Sequence, residues 1–463
     1  MKAERPYPQV HITPKGQRAL QAGHPWVYAG EVTELTGPVE DGGLTDIIGS
    51  KGAYLGTGFY NSHSLIRCRL LSRNANDRFD DAFWQRRVQY AWDYRKSVMP
   101  PEDLLCCRVI FGEADGFPGL TVDRFGPVLV AQVLSLGMER IQDRLLPLLA
   151  QVLRRDGQDI AGIYLRNDVA LREKEGLAQG KSWFSLPGEE EPTLTESDIV
   201  ENGIRYHVDF INGQKTGFFL DQKYNRQAVA RLAKGRTVLD CFTHTGSFAL
   251  NAAKGGAKHV TAVDVSEFAV QCAAENARLN GLDGIMECRA ANVFDLLPEL
   301  EKAPKSYDFI ILDPPAFTKS RKTIDSAMTG YKEINYRAMK LLPRGGYLAT
   351  CSCSHFASTE RFIAMLRSAA HDAGVQLRQI EQRQQSCDHP ILWGVEETDY
   401  LKFSSSRSFN TPSLKKRRPR RLFSVWQKSL AEFAARRRQR NKIIFSRDLC
   451  VRENTSQAAS VEF

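Results

Sequence analysis

The sequence predicts an α/β protein, with a doubly wound parallel sheet over residues 195–403 that follows a small β-barrel and a small α+β layer. In this C-terminal part, apolar runs typical of strands alternate with segments typical of helices: RTVLDCF, GSFALNAAKGG, HVTAVDV, SEFAVQCAAENARLNG, YDFIILDPP, INYRAMKLL and GGYLATCSCS. This alternation indicates a mostly parallel sheet with helices on both faces. Such sheets bind ligands at the carboxyl ends of their strands, so side chains at those ends are the first functional candidates.

Two smaller modules precede the sheet. Over residues 1–75, short strand-like runs such as HPWVYAGEV and GAYLGTGFYNSHS lie between Gly-rich turns, which predicts a small barrel. Residues 76–190 join an amphipathic helix, DDAFWQRRVQYAWDYRKSVM, to the strands VLVAQVLS and GIYLR with a second helix between them, which predicts an α+β layer. The acidic segment PGEEEPTLTESD is typical of a linker.

The positive charge of the chain is concentrated at its C-terminus. Residues 404–463 carry 15 Lys and Arg against 4 Asp and Glu, a net charge of +11, which leaves the preceding 403 residues at −2. We expect a basic, disordered tail whose clusters at Lys415–Arg421 and Arg436–Arg440 contact phosphates. A frameshift that replaced the natural C-terminus is the alternative.

Composition also limits the compartment. The ten cysteines lack the spacing of a disulfide framework or of paired C-x-x-C knuckles, which favours reduced thiols. The sequence lacks a signal peptide and any run of roughly 18 apolar residues. We therefore expect a cytoplasmic protein with no membrane partner.

The first strand and turn of the sheet carry a candidate cofactor site. VLDCFTHTGSFAL ends a strand at Asp240, passes Phe242 and reaches Gly246, where a ligand can approach the backbone closely. Asp264 ends the next strand, where a carboxylate can accept ribose hydroxyl groups. The pattern is not G-x-G-x-x-G, and Asp240 would repel a pyrophosphate but suit an amino-bearing ligand. We therefore predict a Rossmann-like domain that binds S-adenosylmethionine rather than NAD.

Each of these side chains also has a purely structural alternative. Asp240 and Asp264 could cap strand-to-helix turns. Asn292, at the end of the third strand, can read the edge of an adenine or can be an ordinary turn residue.

The fourth strand ends abruptly at Asp313-Pro314-Pro315. Two prolines cannot donate to a sheet ladder, so they stop the strand and present the carboxylate. Similar D/N-P-P motifs followed by an aromatic residue, here Phe317, occur in methyltransferases, where they grip a planar amine or pyrimidine. We expect Pro314, Pro315 and Phe317 to contact the substrate, although a structural turn is the alternative.

The fifth strand supplies two cysteines, Cys351 and Cys353, which strand alternation places on one face. Methylation of cytosine at C5 needs a thiolate that adds to C6, and cysteine is the residue for that role. Buried cysteines are also common core fillers, and a metal site is disfavoured because ligands at suitable spacing are missing.

The sequence resembles the bacterial 23S ribosomal RNA cytosine-C5 methyltransferase family. The matching stretches are HPWVYAGEV, FGEADGFPGLTVDRFG, RNDVALREKEG, GQKTGFFLDQKYNR, LDCFTHTGSFA, LDPPAF and SCS, in this order between about residues 10 and 403. The family joins an N-terminal PUA domain and a small α+β domain to a class I methyltransferase domain. The resemblance implies a 23S ribosomal RNA partner and S-adenosylmethionine as cofactor, and a homodimer is compatible with it.

The resemblance also implies roles for individual residues. Cys353 would be the nucleophile and Asp313 would help to position the cytosine. The cofactor would lie among Gln214, Asp240, Asp264, Asn292 and Asp313, although Asn292 stands where relatives often have Asp. The base that removes the C5 proton is not identified.

GQKTGFFLDQKYNR has a physical interpretation of its own. Gly213 and Gly217 permit a tight loop, and Phe218 and Phe219 can wall a pocket that Asp221 and Arg226 orient. An ordinary hairpin connection is the alternative. In the predicted PUA-like barrel, the RNA-binding candidates are Arg18, His24, Trp26 and Arg69, with the barrel core as the favoured position of Trp26.

Two other functions fit the same motifs. An exocyclic-amine methyltransferase acting on guanine or adenine would use the D-P-P loop without a cysteine. A catalytically silent RNA-binding protein could retain the fold without binding the cofactor.

Overall fold

A computed structural model describes residues 5–302, 307–318 and 320–410. Its first unit is a six-stranded sheet with the order β2-β6-β5-β4-β1-β3. The strands are β1 Gln9–Ile12, β2 Trp26–Tyr28, β3 Val32–Thr36, β4 Leu44–Ile48, β5 Tyr54–Tyr60 and β6 Ile66–Ser72. Helix α1, Pro14–Gln21, begins where the Thr13 side chain accepts a hydrogen bond from the Gly16 amide at 3.2 Å.

The second unit is a five-stranded sheet with the order β11-β10-β9-β8-β7, packed against two helices. Its elements are α2 Asp81–Val98, β7 Cys106–Phe111, β8 Leu120–Phe125, β9 Val128–Val133, α3 Leu136–Arg155, β10 Gly162–Arg166 and β11 Lys181–Phe184. The hydrophobic core of this layer includes Phe59 and Leu71 from the first sheet. The first two sheets are therefore packed together through a shared core.

A two-stranded sheet and a seven-stranded sheet follow, the latter with the order β16-β15-β14-β17-β18-β20-β19. The strands are β12 Ser197–Glu201, β13 Ile204–Val208, β14 Thr237–Cys241, β15 His259–Asp264, β16 Met286–Ala290, β17 Phe309–Leu312, β18 Tyr347–Ser352, β19 Val375–Arg383 and β20 Lys402–Asn410. The helices are α4 Lys223–Ala233, α5 Ser247–Lys254, α6 Glu267–Leu279, α7 Val293–Leu300, α8 Ile324–Leu341 and α9 Thr359–Ala373. Strands β14 to β18 pair in parallel, and β20 pairs antiparallel with β18.

The sheet extends past the boundary predicted at residue 403. Strand β20 lies between β18 and β19, and Cys351 on β18 pairs with Phe403. Residues 404–410 are thus an interior part of the sheet rather than the start of a tail. The basic clusters at 415–421 and 436–440 lie outside the described residues. Within the described part of the chain, no helix is long and apolar enough to cross a membrane.

Candidate active site

Three predicted site residues meet at one edge of the seven-stranded sheet. Strand β14 pairs with β15 on one side and with β17 on the other, so the carboxyl ends of all three strands lie together. Asp240 and Asp264 lie at the ends of β14 and β15, and Asp313 follows β17 directly. The Asp313 amide donates to the Cys241 carbonyl oxygen at 3.3 Å, which holds the start of the D-P-P loop (residues 313–315) against β14.

Asp240 is fully buried with one carboxylate oxygen unpaired. Its Oδ2 accepts hydrogen bonds from the Thr243 hydroxyl at 2.6 Å and the Ala249 amide at 3.0 Å. Its Oδ1 is buried with no hydrogen-bond partner among the described residues. Burial, with a contribution from the charge of Asp313, raises the pKa of Asp240 to about 7. A buried acceptor without a donor is costly, and a ligand amino group placed here would satisfy it.

The turn after Asp240 has a strained backbone. Phe242 and His244 have φ angles of 67° and 51°, in the left-handed region that costs a residue with a Cβ on the order of 1 kcal/mol or more. Gly246 has φ 84°, and a Cβ there would lie 3.0 Å from the Ala273 Cβ. The Thr245 hydroxyl is also buried without a partner in the described chain. Strain and unpaired polar atoms together are typical of a ligand-binding turn.

Asp264 is held by the same turn. Its Oδ2 accepts from the His244 amide at 3.0 Å, and its Oδ1 accepts from the Ser266 amide at 3.0 Å. The carboxylate is half-buried, so ligand hydroxyls can reach its remaining lone pairs. Burial lowers the pKa of His244 to about 4, so this imidazole is neutral near pH 7.

Asn292 and Gln214 are both exposed. Asn292 caps α7: its Oδ1 accepts from the Phe294 amide at 3.1 Å, and its Nδ2 donates to Asp295 at 2.9 Å. Asn292 therefore acts as a helix cap, and its contact with the adenine edge stays a prediction, since the exposed side chain is open to a ligand. Gln214 belongs to a turn that its own carbonyl oxygen closes by accepting from the Gly217 amide at 2.9 Å.

The sequence prediction did not include the residue that holds Asp313. Gln222 Nε2 donates to Asp313 Oδ1 at 2.9 Å, and Asn225 Nδ2 in turn donates to Gln222 Oε1 at 2.7 Å. Burial, with the charge of Asp221 as the next cause, raises the pKa of Asp313 to about 7. Gln222 and Asn225 lie in the GQKTGFFLDQKYNR stretch, which was the only available signal for them.

Asp221 is the ionised neighbour of Asp313. Burial opposes its charge, but His389, Lys215 and the Tyr400 hydroxyl together lower its pKa. The Tyr400 hydroxyl donates to Asp221 Oδ2 at 2.7 Å. Two carboxyl groups whose pKa values are moved in opposite directions are a common feature of acid–base sites.

The two cysteines have different environments. Cys351 lies inside β18 in the hydrophobic core, fully buried, and burial raises its pKa well above the usual range. Cys353 lies just past the end of β18, half-buried, with its Sγ 3.9 Å from the Pro314 carbonyl oxygen. Burial raises the pKa of Cys353 to about 11, while the charge of Lys215 acts to lower it.

An aromatic pair that follows the D-P-P loop is linked to the residue next to Cys353. Pro314 is buried, Pro315 is exposed and Phe317 is half-buried. The Phe317 ring lies 4.5 Å from that of Tyr331, whose hydroxyl is 2.9 Å from the hydroxyl of Ser354, the residue after Cys353.

The candidates in the first sheet divide into exposed and buried groups. Arg18 is exposed on α1, and His24 is half-buried. Trp26 is 1% exposed, as the core alternative requires, and its Nε1 donates to Glu113 at 2.8 Å. Arg69 differs from the expectation: it is 7% exposed and pairs with Glu113 at 3.2 Å and Glu175 at 2.9 Å. We therefore replace its predicted RNA contact with a structural role between the first two sheets.

Comparison with known proteins agrees with this geometry. Residues 178–392 match the S-adenosylmethionine-dependent methyltransferase family, and residues 10–73 match a PUA-like domain. Two solved structures share the fold. For each, the match covers 86% of this chain and 99% of the other chain, at 21% sequence identity. One is a methyltransferase from Streptococcus mutans with a TM-score of 0.71, and the other is a methyltransferase complexed with SAH with a TM-score of 0.73.

Curated relatives match over nearly their full length. The ribosomal RNA large subunit methyltransferase I of Shewanella denitrificans is 39% identical over 85% of this chain and 98% of its own. The protein of the same name from Klebsiella pneumoniae is 38% identical over 86% of this chain and 97% of its own length. The protein of that name from Erwinia tasmaniensis is 40% identical over 84% of this chain and 97% of its own length. With its PUA-like domain and its S-adenosylmethionine-dependent methyltransferase domain, this chain therefore belongs to the ribosomal RNA large subunit methyltransferase I family.

Proposed function

We propose that the protein methylates C5 of a cytosine in large-subunit ribosomal RNA, with Cys353 as the nucleophile. The observation that carries this proposal is the position of the Cys353 thiol, 3.9 Å from the Pro314 carbonyl oxygen of the D-P-P loop. The relatives named above act, by their names, on ribosomal RNA of the large subunit. Cytosine C5 is a weak nucleophile, so a reaction there requires a thiolate of this kind.

The residues at the strand ends fit S-adenosylmethionine. The buried, unpaired Oδ1 of Asp240 suits the cofactor amino group, and the half-buried carboxylate of Asp264 suits the ribose hydroxyls. Phe242 and Gly246 shape the turn between these two positions. When bound, the cofactor supplies the methyl group.

Asp313 positions the cytosine ring and activates it for attack. Because its pKa is about 7, a substantial fraction of this carboxyl is protonated at neutral pH and can donate a hydrogen bond to cytosine N3. Gln222 fixes the orientation of the group through its contact with Oδ1. Donation to N3 draws electrons from the ring and makes C6 a better target for the thiolate.

Cys353 performs the covalent step. Its half-buried thiol gives its proton to solvent water, and the positive charge of Lys215 favours the resulting thiolate. The sulfur then bonds to C6, and the C5–C6 double-bond pair moves to C5, which becomes the methyl acceptor. Loss of the C5 proton to a base returns the pair to the ring and breaks the C6–S bond. An unpaired or extruded cytosine is required, because the ring must reach the space between residues 313–315 and Cys353.

Nucleoside mass spectrometry of methylated ribosomal RNA tests the proposal. We expect 5-methylcytidine with the wild-type protein, none with Cys353→Ala, and retained product with Cys351→Ala. Cofactor affinity should be unchanged in Cys353→Ala. A methyl group on an exocyclic amine of guanine or adenine would refute C5 chemistry, and full activity of Cys353→Ala with an inactive Cys351→Ala would assign the nucleophile to Cys351.

A further inference from the structure

The most exposed large apolar side chain in the described part of the chain is Trp393, at 92%. It lies in the segment between β19 and β20, apart from the hydrophobic clusters of the sheet. Leaving an indole in water forgoes the burial energy of the largest apolar side chain. Tryptophan in this position therefore needs an explanation other than packing.

The turn that carries Trp393 is closed by hydrogen bonds. The Thr398 hydroxyl accepts from the Leu392 amide at 2.9 Å and is 2.7 Å from the Val395 carbonyl oxygen, to which it donates. The Val395 amide donates to the Leu392 carbonyl oxygen at 2.7 Å. Val395 itself is fully buried. The exposed indole is thus carried by a turn with internal hydrogen bonds and a buried anchor at Val395.

Both arms of this segment are tied to the candidate active site. Before the turn, the Ser386 amide donates to the Asp221 carbonyl oxygen at 2.7 Å. After it, the Tyr400 hydroxyl donates to the Asp221 carboxylate at 2.7 Å. Asp221 precedes Gln222, which holds Asp313. The position of Trp393 is therefore fixed relative to the proposed cytosine pocket.

The tip of the turn touches the PUA-like domain. A Cβ added to Gly394 would lie 2.7 Å from the Gly23 carbonyl carbon, so the two backbones are in direct contact. Next to Gly23, the His24 ring lies 6.0 Å from that of Tyr28, which is 38% exposed. Helix α1, which ends just before Gly23, has the sequence PKGQRALQ, with two cations and no carboxylate. The residue after Trp393 therefore meets the PUA-like domain at Gly23, which lies between α1 and this aromatic pair in the sequence.

We propose that Trp393 stacks on an unpaired RNA base next to the target nucleotide, where the strand passes from the PUA-like domain to the active site. Aromatic faces bind bases of any sequence by stacking, and flanking cations hold the phosphates. This inference rests on the proposed function only in taking RNA as the substrate. It does not depend on which atom is methylated.

The stacking proposal can be tested by measuring the binding of a labelled single-stranded oligocytidylate, because this measurement does not depend on methyl transfer. We expect Trp393→Ala to weaken binding about 5- to 150-fold, the range for one lost base–aromatic stack, and Trp393→Phe to weaken it less. Tyr90→Ala is the matched control, because Tyr90 is 65% exposed on α2 and should not change the affinity. An abasic oligomer of equal length, which keeps the phosphates, should bind wild type and Trp393→Ala equally.

Several results would overturn the stack. One is an unchanged affinity of Trp393→Ala for the oligocytidylate. Another is an equal loss of affinity of this variant for the abasic oligomer. A change of oligomeric state in Trp393→Ala would assign the indole to a contact between copies. If deletion of residues 411–463 increases the oxidation of Trp393, followed by peptide mass spectrometry, while RNA does not protect it, the chain's own C-terminal segment is the occupant. Failure of the C5 proposal alone would leave the binding difference in place, so the two inferences fail separately.

Discussion

Asp240→Asn tests whether the unpaired carboxylate oxygen is kept for a ligand at the expense of stability. The substitution is nearly isosteric, and the amide oxygen can still accept from Thr243 and the Ala249 amide. The Nδ2 group then replaces the unpaired Oδ1, and the buried charge is removed. We therefore expect the variant to fold and to be more stable than wild type at alkaline pH.

The magnitude follows from the pKa of Asp240. In the unfolded chain this group ionises near its usual value of 3.8, and in the folded protein at about 7. Between these values the folded state holds more protons than the unfolded state, so the free energy of unfolding of wild type falls as the pH rises. At 1.36 kcal/mol for each pKa unit, the loss is about 4 kcal/mol and is complete above pH 7. Asp240→Asn lacks this loss.

Urea unfolding without cofactor, compared between the two proteins from pH 4 to pH 8, measures the effect. We expect similar stability at pH 4, a difference that grows through pH 5 and 6, and a plateau of a few kcal/mol above pH 7. Calorimetry should show weaker S-adenosylmethionine binding by the variant, by roughly 10- to 100-fold for a lost charged hydrogen bond. A stability difference that does not change with pH would refute the reasoning about burial, and unchanged cofactor affinity would refute the assignment of Oδ1.

Other predictions address the thiol, the domain contact and the tail. Lys215→Met should raise the pKa of Cys353 further above about 11 and therefore slow the alkylation of this thiol by iodoacetamide at pH 8, which peptide mass spectrometry measures. The control is Lys51→Met, because Lys51 is also exposed. Equal alkylation rates in the two variants would contradict a role for Lys215. Arg69→Met should destabilise the protein by about 3–5 kcal/mol in urea unfolding, because two buried carboxylates lose their partner. Exposed Arg18→Met should have little effect on stability, and a small loss in Arg69→Met would show that the pairing is weak. Deletion of residues 411–463 should weaken RNA binding mainly at low salt and flatten its salt dependence, whereas unchanged affinity would favour a tail without function.

Parts of the site could be predicted because the sequence pattern indicates where the strands end. Asp240, Asp264 and Asp313 each end an apolar run, and in a parallel sheet such ends meet at one edge. Period-two alternation treats Cys351 and Cys353 alike, so only the family resemblance favoured Cys353 before the structure was considered. The end of β18 at Ser352 separates a core thiol from one at the loop.

Other features have no local signal. Strand β20, KFSSSRSFN, is rich in serine, so hydrophobic periodicity does not mark it, although Ser404, Ser405 and Ser406 are buried within the sheet. Arg69 looked like a surface cation because its partners, Glu113 and Glu175, lie in the next domain, 44 and 106 residues away. Contacts between residues so far apart in the sequence depend on how the domains pack, and a single sequence does not reveal that packing.

The insertion of β20 between β18 and β19 has a consequence for when activity can arise. The strand that leads to Cys353 lacks its neighbour on one side until residues 402–410 have been synthesised and have paired with it. A nascent chain that stops shortly before this point contains every proposed catalytic side chain but leaves an open strand edge beside the thiol. Premature termination or proteolysis near residue 400 should therefore yield an inactive, aggregation-prone protein rather than a shortened enzyme.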